Sequence, residues 1–105
     1  MATLAENFKE YLDLLDKEEL KNWVRDLSLQ DILEVWYSLE EPDKLRFFML
    51  LNTNSKVALL YAISSTEQEY LIRTLSADYT KTLMREMAPD DLADFLQSVS
   101  PEIRR

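Results

Sequence analysis

The sequence predicts an all-α fold, a right-handed superhelix (solenoid) of about eight short helices in an armadillo-like arrangement. Three observations lead to this prediction. A large apolar residue recurs every 12 positions of the 105-residue chain, helix-capping side chains follow most of these residues, and glycine is absent. Because β-hairpin turns and phosphate-binding loops use glycine to reach positive φ angles, its absence disfavours β-rich and nucleotide-binding folds.

One apolar position closes each 12-residue segment and defines the repeat. It is occupied by Leu15, Leu27, Leu39, Leu51, Ile63, Leu75, Met87 and Val99. The eighth and ninth positions of each segment are also apolar, as at Trp23 and Val24, and the fifth or sixth usually is, as at Leu20. This spacing is that of the buried stripe of an amphipathic helix. We therefore expect one helix in each of the segments 4–15, 16–27, 28–39, 40–51, 52–63, 64–75, 76–87 and 88–99.

Each segment after the first opens with a helix-start signal. The opening positions are Asp16, Ser28, Glu40, Asn52, Ser64, Ser76, Ala88 and Ser100. Most of these side chains accept hydrogen bonds from the free N–H groups of a first helical turn. Glu67, three residues after Ser64, completes a capping-box pattern. Pro42, Pro89 and Pro101 fall in the second or third position of their segments, where a helix tolerates proline.

The composition excludes several functional classes. The chain has no cysteine and no histidine, so thiolate metal sites, disulfides and the usual general base near neutral pH are ruled out. A formal net charge of −8 disfavours nucleic-acid phosphates and favours cationic partners. No apolar run approaches the ~20 residues that cross a bilayer, so this segment is not expected to insert into a membrane. We expect a binding or regulatory module and no enzyme.

Residues 83–96 read LMREMAPDDLADFL, and their most specific part is PDDLADFL at residues 89–96. This stretch resembles the end of the N-terminal cytosolic domain of MgtE-type magnesium transporters, in which units of the form L-x-P-E/D-x-A-A-x-L-L-x-x-L recur. The other segments match that family in pattern, so the resemblance covers about residues 4–99. It implies that residues 1–105 are a single MgtE N-terminal-like helical domain and a fragment of a longer membrane protein.

The resemblance also implies a function and partners. In the family, this domain is followed by CBS domains and a membrane channel, and it acts as a cytosolic Mg²⁺ sensor. Divalent cations between the acidic faces of the N domain and the CBS domains, of the same polypeptide or of the dimer mate, hold the closed state. The implied location is the cytoplasmic face of the cell membrane, and the implied full-length protein is a homodimer.

The candidate metal ligands come from the same resemblance. Asp90 and Asp94 match acidic positions that hold interfacial ions in the family, and the implied cofactor is a regulatory Mg²⁺. Carboxylates four residues apart lie on one face of a helix, and a hydrated Mg²⁺ is commonly held by one or two of them. Asp91 is expected to point elsewhere and to act mainly as a favourable acid in the first turn. The family has a further acid on an earlier helix, at about the position of Ala58.

A module of a different class is the alternative. Stacked short helices with the same pattern occur in armadillo-like protein-interaction modules, such as the flagellar motor switch protein FliG or free-standing adaptors, and composition and periodicity do not separate these from the sensor. The aromatic pairs Trp36–Tyr37 and Phe47–Phe48 are expected to pack in the core. Because neighbours on a helix point about 100° apart, an exposed member of a pair would instead offer a docking patch.

Overall fold

The structure is a computed structural model, and it describes residues 2–98 of the chain. Within this range the chain forms eight α-helices and no β-strand. They are α1 (Leu4–Leu14), α2 (Lys17–Arg25), α3 (Leu29–Ser38), α4 (Asp43–Leu50), α5 (Thr53–Ala62), α6 (Ser65–Thr74), α7 (Ala77–Arg85) and α8 (Pro89–Ser98). The predicted all-α class is confirmed, and so is one helix per segment. The repeat positions Val99, Ser100 and Pro101 lie outside the described residues.

The apolar position of the repeat closes the last turn of each helix. The backbone N–H of every described member donates to a carbonyl oxygen three or four residues earlier, at 2.9–3.3 Å. These donors are Leu15, Leu27, Leu39, Leu51, Ile63, Leu75 and Met87. Four of the same side chains are buried, namely Leu39, Leu51, Ile63 and Met87. The repeat therefore marks the corner between consecutive helices, where one residue supplies both a backbone hydrogen bond and apolar packing.

Most helices begin at the predicted capping residues. Side-chain oxygens of the predicted residues accept from the backbone N–H three positions on, at 2.8–3.4 Å. The acceptors are Asp16, Ser28, Asn52, Ser64 and Ser76. Ser28 forms a full capping box with Asp31, and Thr3 forms another with Glu6 at the start of α1. Each cap satisfies a backbone donor that the helix itself leaves free.

The fourth segment departs from the predicted start at Glu40. Helix α4 begins at Asp43, its N-cap residue is Pro42, and no side chain caps it. A residue that precedes proline is driven out of the α conformation, so a helix cannot run through Glu41 into Pro42. The start therefore shifts and α4 has only 8 residues. Pro89, in contrast, is the first residue of α8, where proline is well tolerated.

The chain divides into two compact units, Met1–Ser55 and Lys56–Arg105. In the first unit α1 packs against α3 and α2 against α4. Phe8 lies at its centre, with its ring centroid 6.1 Å from that of Trp23 and 5.1 Å from that of Phe47. Core packing is confirmed for three of the paired aromatics, since Trp36, Phe47 and Phe48 are fully buried.

Tyr37 is the exposed member of the aromatic pairs, at 52% of its surface. The 10 residues of α3 place it about 100° from the buried Trp36, which accounts for the difference. No helix of the described residues is both long and apolar enough to cross a bilayer.

The second unit buries two polar side chains at the fifth position of their segments. Gln68 is 5% exposed, and its Nε2 donates to the Leu60 carbonyl oxygen at 2.7 Å. Thr80 is 7% exposed, and its Oγ1 is buried with no hydrogen-bond partner among the described residues. A buried hydroxyl that loses water without gaining a partner costs roughly 1–3 kcal/mol. Thr80 is therefore a weak point of this unit.

Replacing Thr80 with valine is expected to stabilise the protein by about 1 kcal/mol, because the substitution keeps the shape and removes the unpartnered hydroxyl. The measurement is urea denaturation followed by circular dichroism. Thr82→Val is the matched control. Thr82 is exposed and its Oγ1 donates to the Asp78 carbonyl oxygen at 3.0 Å, so its replacement should change stability by less than about 0.5 kcal/mol. A clear loss of stability in Thr80→Val would mean that the hydroxyl is hydrogen-bonded.

Candidate functional site

Helix α8 carries all three predicted acidic residues. Asp90 and Asp91 lie in its first turn, next to Pro89, and Asp94 lies one turn further along. All three side chains are exposed, whereas Phe95 is 2% exposed and anchors the helix to its unit. Acids in a first turn are favoured by the helix dipole, so Asp90 and Asp91 also stabilise the helix on which they lie.

The direction of each acid follows from the geometry of the helix. Successive residues are rotated by about 100° around the helix axis. Measured from Phe95 in one direction around α8, Asp91 therefore lies at about 40°, Asp94 at about 100° and Asp90 at about 140°. Asp91 is thus placed between Phe95 and Asp94. Asp90 points furthest from the buried residue.

A cleft in the second unit lies against this side of α8. It has a volume of about 360 Å³ and is lined by Asp94 and Phe95 from α8 and by residues at the corner between α5 and α6. The corner residues are Tyr61, Ile63, Ser64, Ser65 and Gln68. Asp94 and Phe95, which lie on either side of Asp91 around the helix, both line this cleft. The cleft therefore presents carboxylate and hydroxyl oxygens together.

Tyr61 is a residue of the cleft with a raised pKa. Its pKa is raised above the usual 10.0, first by partial burial of the phenol and second by the negative charge of Asp91. This interaction agrees with the helical geometry, because it requires Asp91 to lie on the Tyr61 side of α8. Asp91 does not itself line the cleft, and the expectation that it points elsewhere than Asp90 and Asp94 stays a prediction. Asp90 neither lines the cleft nor contributes to the shift of Tyr61.

Tyr61 was not among the residues singled out from the sequence. It lies outside the buried stripe of α5 and is 36% exposed, so its helix does not require a large aromatic side chain there. The sequence did contain one signal for Tyr61, namely a large aromatic residue at a repeat position outside the buried stripe. Ala58, where the related family has an acid, is half-buried on α5 and supplies no ligand oxygen from its side chain.

The oxygen donors on α8 are of the type that a hard cation prefers, and they are few. Among the described residues, no group of three or more carboxylates is arranged to hold a metal ion. Mg²⁺ prefers oxygen ligands, retains several waters and is often held by only one or two carboxylates. The acids of α8 can supply that number, with hydroxyls available to hydrogen-bond the bound waters. Further ligands would have to come from a partner surface.

An array of short helices with a 12-residue repeat defines a class, that of helical-repeat domains. The comparisons identify the family within this class. A family model described as the MgtE intracellular N domain matches residues 27–105. The chain belongs to this family.

A solved structure gives the same result. The chain is similar to the cytosolic domain of the Mg²⁺ channel MgtE, solved in complex with ATP, with a TM-score of 0.77 and 25% sequence identity. The match covers 96% of this chain and 47% of the other, so the chain spans about half the length of that structure. A comparison with curated proteins found no match.

Replacing Asp91 with asparagine is expected to lower the pKa of Tyr61, because the neighbouring negative charge is removed. The pKa should stay above 10.0, since burial is the larger cause of the shift. Asp90→Asn is the control and should leave it unchanged. An NMR pH titration of ¹³C-labelled tyrosines measures this, with Tyr61→Phe assigning the resonance.

The same shift sets the pH window in which Tyr61 contributes to stability. Its folded pKa lies above the unfolded value, so the contribution is present below about pH 10 and is lost as pH rises through the folded pKa. Asp91→Asn should move the upper end of this window to lower pH. An equal response to Asp90→Asn would contradict the assigned orientation of α8.

Proposed function

We propose that this chain is a cytosolic Mg²⁺-sensing regulatory domain of a magnesium transporter. In this proposal, divalent cations between the acidic side of α8 and neighbouring CBS domains dock the domain and favour the closed channel. The match to the MgtE intracellular N domain over residues 27–105 is the observation that carries the proposal. It favours a transporter domain over the free-standing armadillo-like adaptor that the repeat pattern alone left open.

The mechanism is electrostatic. With a formal charge of −8, the domain is repelled by another acidic surface when no cation lies between them. A cation that binds only the docked arrangement shifts the population toward docking by its difference in affinity for the two arrangements. Asp94 has the central role, because it belongs to the pair Asp90 and Asp94 that the family resemblance implies and because it also lines the cleft. Asp90 extends the site outward toward a partner, and Asp91 extends it inward toward Tyr61.

The remaining parts of the proposal concern the parent protein. The CBS domains belong to the same polypeptide or to the dimer mate, and the parent is a homodimeric membrane protein with this domain on the cytoplasmic side. The regulatory cation is Mg²⁺, which suits a site of few carboxylates and retained waters. The size of the solved MgtE cytosolic domain supports such a context, since this chain covers 47% of it.

In the transporter that carries this domain, Asp90→Asn together with Asp94→Asn should weaken Mg²⁺-dependent closure. We expect the Mg²⁺ concentration that protects the protein against protease to rise about tenfold or more, because a tenfold loss of affinity corresponds to only ~1.4 kcal/mol. The measurement is the extent of proteolysis across a Mg²⁺ titration.

A charge-matched double variant, Glu10→Gln with Asp13→Asn, controls for the loss of two negative charges. Both of these residues are exposed on α1, far from the acids of α8 in the sequence. Its protection curve should stay within about twofold of the unmodified protein, because exposed charges outside the proposed cation site are largely screened by salt. An unchanged curve in the α8 variant would remove Asp90 and Asp94 as ion ligands.

A further inference from the structure

The first unit contains a groove that the proposed function does not use. Its volume is about 540 Å³, and it lies between residues of α1, α2 and α4. Leu12, Leu20, Leu45 and Met49 supply most of its apolar lining. Lys17 and Arg46 supply its charged groups, and no carboxylate lines it. The groove is therefore apolar along its length and basic at its margin.

One large apolar side chain of the lining is exposed to water. Met49 is 42% exposed. An apolar surface with a polar margin is typical of a site where another protein packs.

The two cations are unusual for this chain. The sequence has 20 acidic and 12 basic residues, yet the charged lining of the groove is basic only. Lys17 is the first residue of α2, where the helix dipole disfavours a cation, so helix stability does not explain it. Arg46 Nη1 lies 3.5 Å from Asp43 Oδ1, and its side chain is 62% exposed. Such an exposed pair contributes little and leaves the guanidinium available.

The groove also lies partly outside the segment that defines the family. Helices α1 and α2 both end before residue 27, where the family match begins, and they supply Leu12, Lys17 and Leu20. The opposite wall comes from α4, inside the match. Three of the eight lining residues therefore belong to the part of the chain that the family model does not include, and five lie inside the match.

We propose that this groove binds an amphipathic helix of a partner protein, one whose apolar stripe is flanked by carboxylates. Apolar anchors at i, i+3 or i+4, and i+7 suit an elongated apolar groove. Carboxylates beside the stripe would form charge-assisted hydrogen bonds with Lys17 and Arg46. Asp43 Oδ1 lies 3.5 Å from Arg46 Nη1, and Asp16 and Glu18 flank Lys17 in the sequence. None of these three acids lines the groove, so the charged groups that a bound helix meets in the groove itself are the two cations. The proposal does not depend on the Mg²⁺ site.

Two synthetic helical peptides of about 15 residues provide the probes. They share one leucine stripe and differ only in the flanking residues, glutamate in one and lysine in the other. Fluorescence anisotropy at physiological salt should show at least tenfold tighter binding of the glutamate peptide to the full 105-residue chain. The net charge of −8 favours the lysine peptide, so the expected preference runs against the overall field of the protein.

Three variants test the assignment, with circular dichroism to establish that each is folded. Lys17→Glu with Arg46→Glu should reverse the preference, and Met49→Glu should abolish binding of both peptides. Leu29→Glu is the control, because Leu29 is 43% exposed but does not line the groove. Equal or tighter binding of the lysine peptide, or binding that persists in Met49→Glu, would overturn the proposal. Dimerisation of the free chain in sedimentation equilibrium, lost in Met49→Glu, would also overturn it by assigning the groove to a second copy.

Discussion

The structure depends on the mutual packing of helices that are too short to form alone. The eight helices have 8–11 residues each, below the length at which isolated helices become stable in water. Each therefore depends on neighbours that cover its apolar stripe, and most of them also have a side-chain cap on a free backbone donor. The corner residue of the repeat serves both needs, since its N–H closes one helix while its side chain often packs in the core. A substitution at such a corner is expected to affect two helices.

This constraint explains how much of the fold was predictable from the sequence. The repeat specified the corners, and Asp16, Ser28, Ser64 and Ser76 specified helix starts, because both depend on interactions within a few residues. The start of α4 was not predicted, since the effect of Pro42 on the preceding residue overrode the apolar pattern. The apolar pattern itself was incomplete, since the fifth positions of segments 64–75 and 76–87 are the polar residues Gln68 and Thr80. The buried Gln68 and the unpartnered Thr80 depend on which side chains meet across helices, and a single sequence does not contain that information.

The candidate site was likewise predictable from the sequence only in part. The sequence placed Asp90, Asp91 and Asp94 on one helix, and the resemblance to the MgtE family singled out Asp90 and Asp94. Which acid faces a neighbouring element depends on the rotation of α8, and that is set by the burial of Phe95. Asp94 lines the cleft, and Asp91 does not line it but raises the pKa of the cleft residue Tyr61. This arrangement is compatible with a cation sensor. Some acids of α8 can bind a cation, and in the absence of the cation all of them repel another acidic surface and so oppose docking.

The central claim is that cations promote docking by binding at the acidic side of α8. The most direct measurement is the association constant between this chain and the CBS-domain pair of its transporter, determined over a range of Mg²⁺ concentrations at constant ionic strength. Linkage requires its logarithm to rise with the logarithm of Mg²⁺ concentration, with a slope of about one for each ion taken up on docking. A slope of one or more that disappears when Na⁺ replaces Mg²⁺ is the predicted result. An association constant that is independent of Mg²⁺, or that falls as Mg²⁺ rises, would contradict the account.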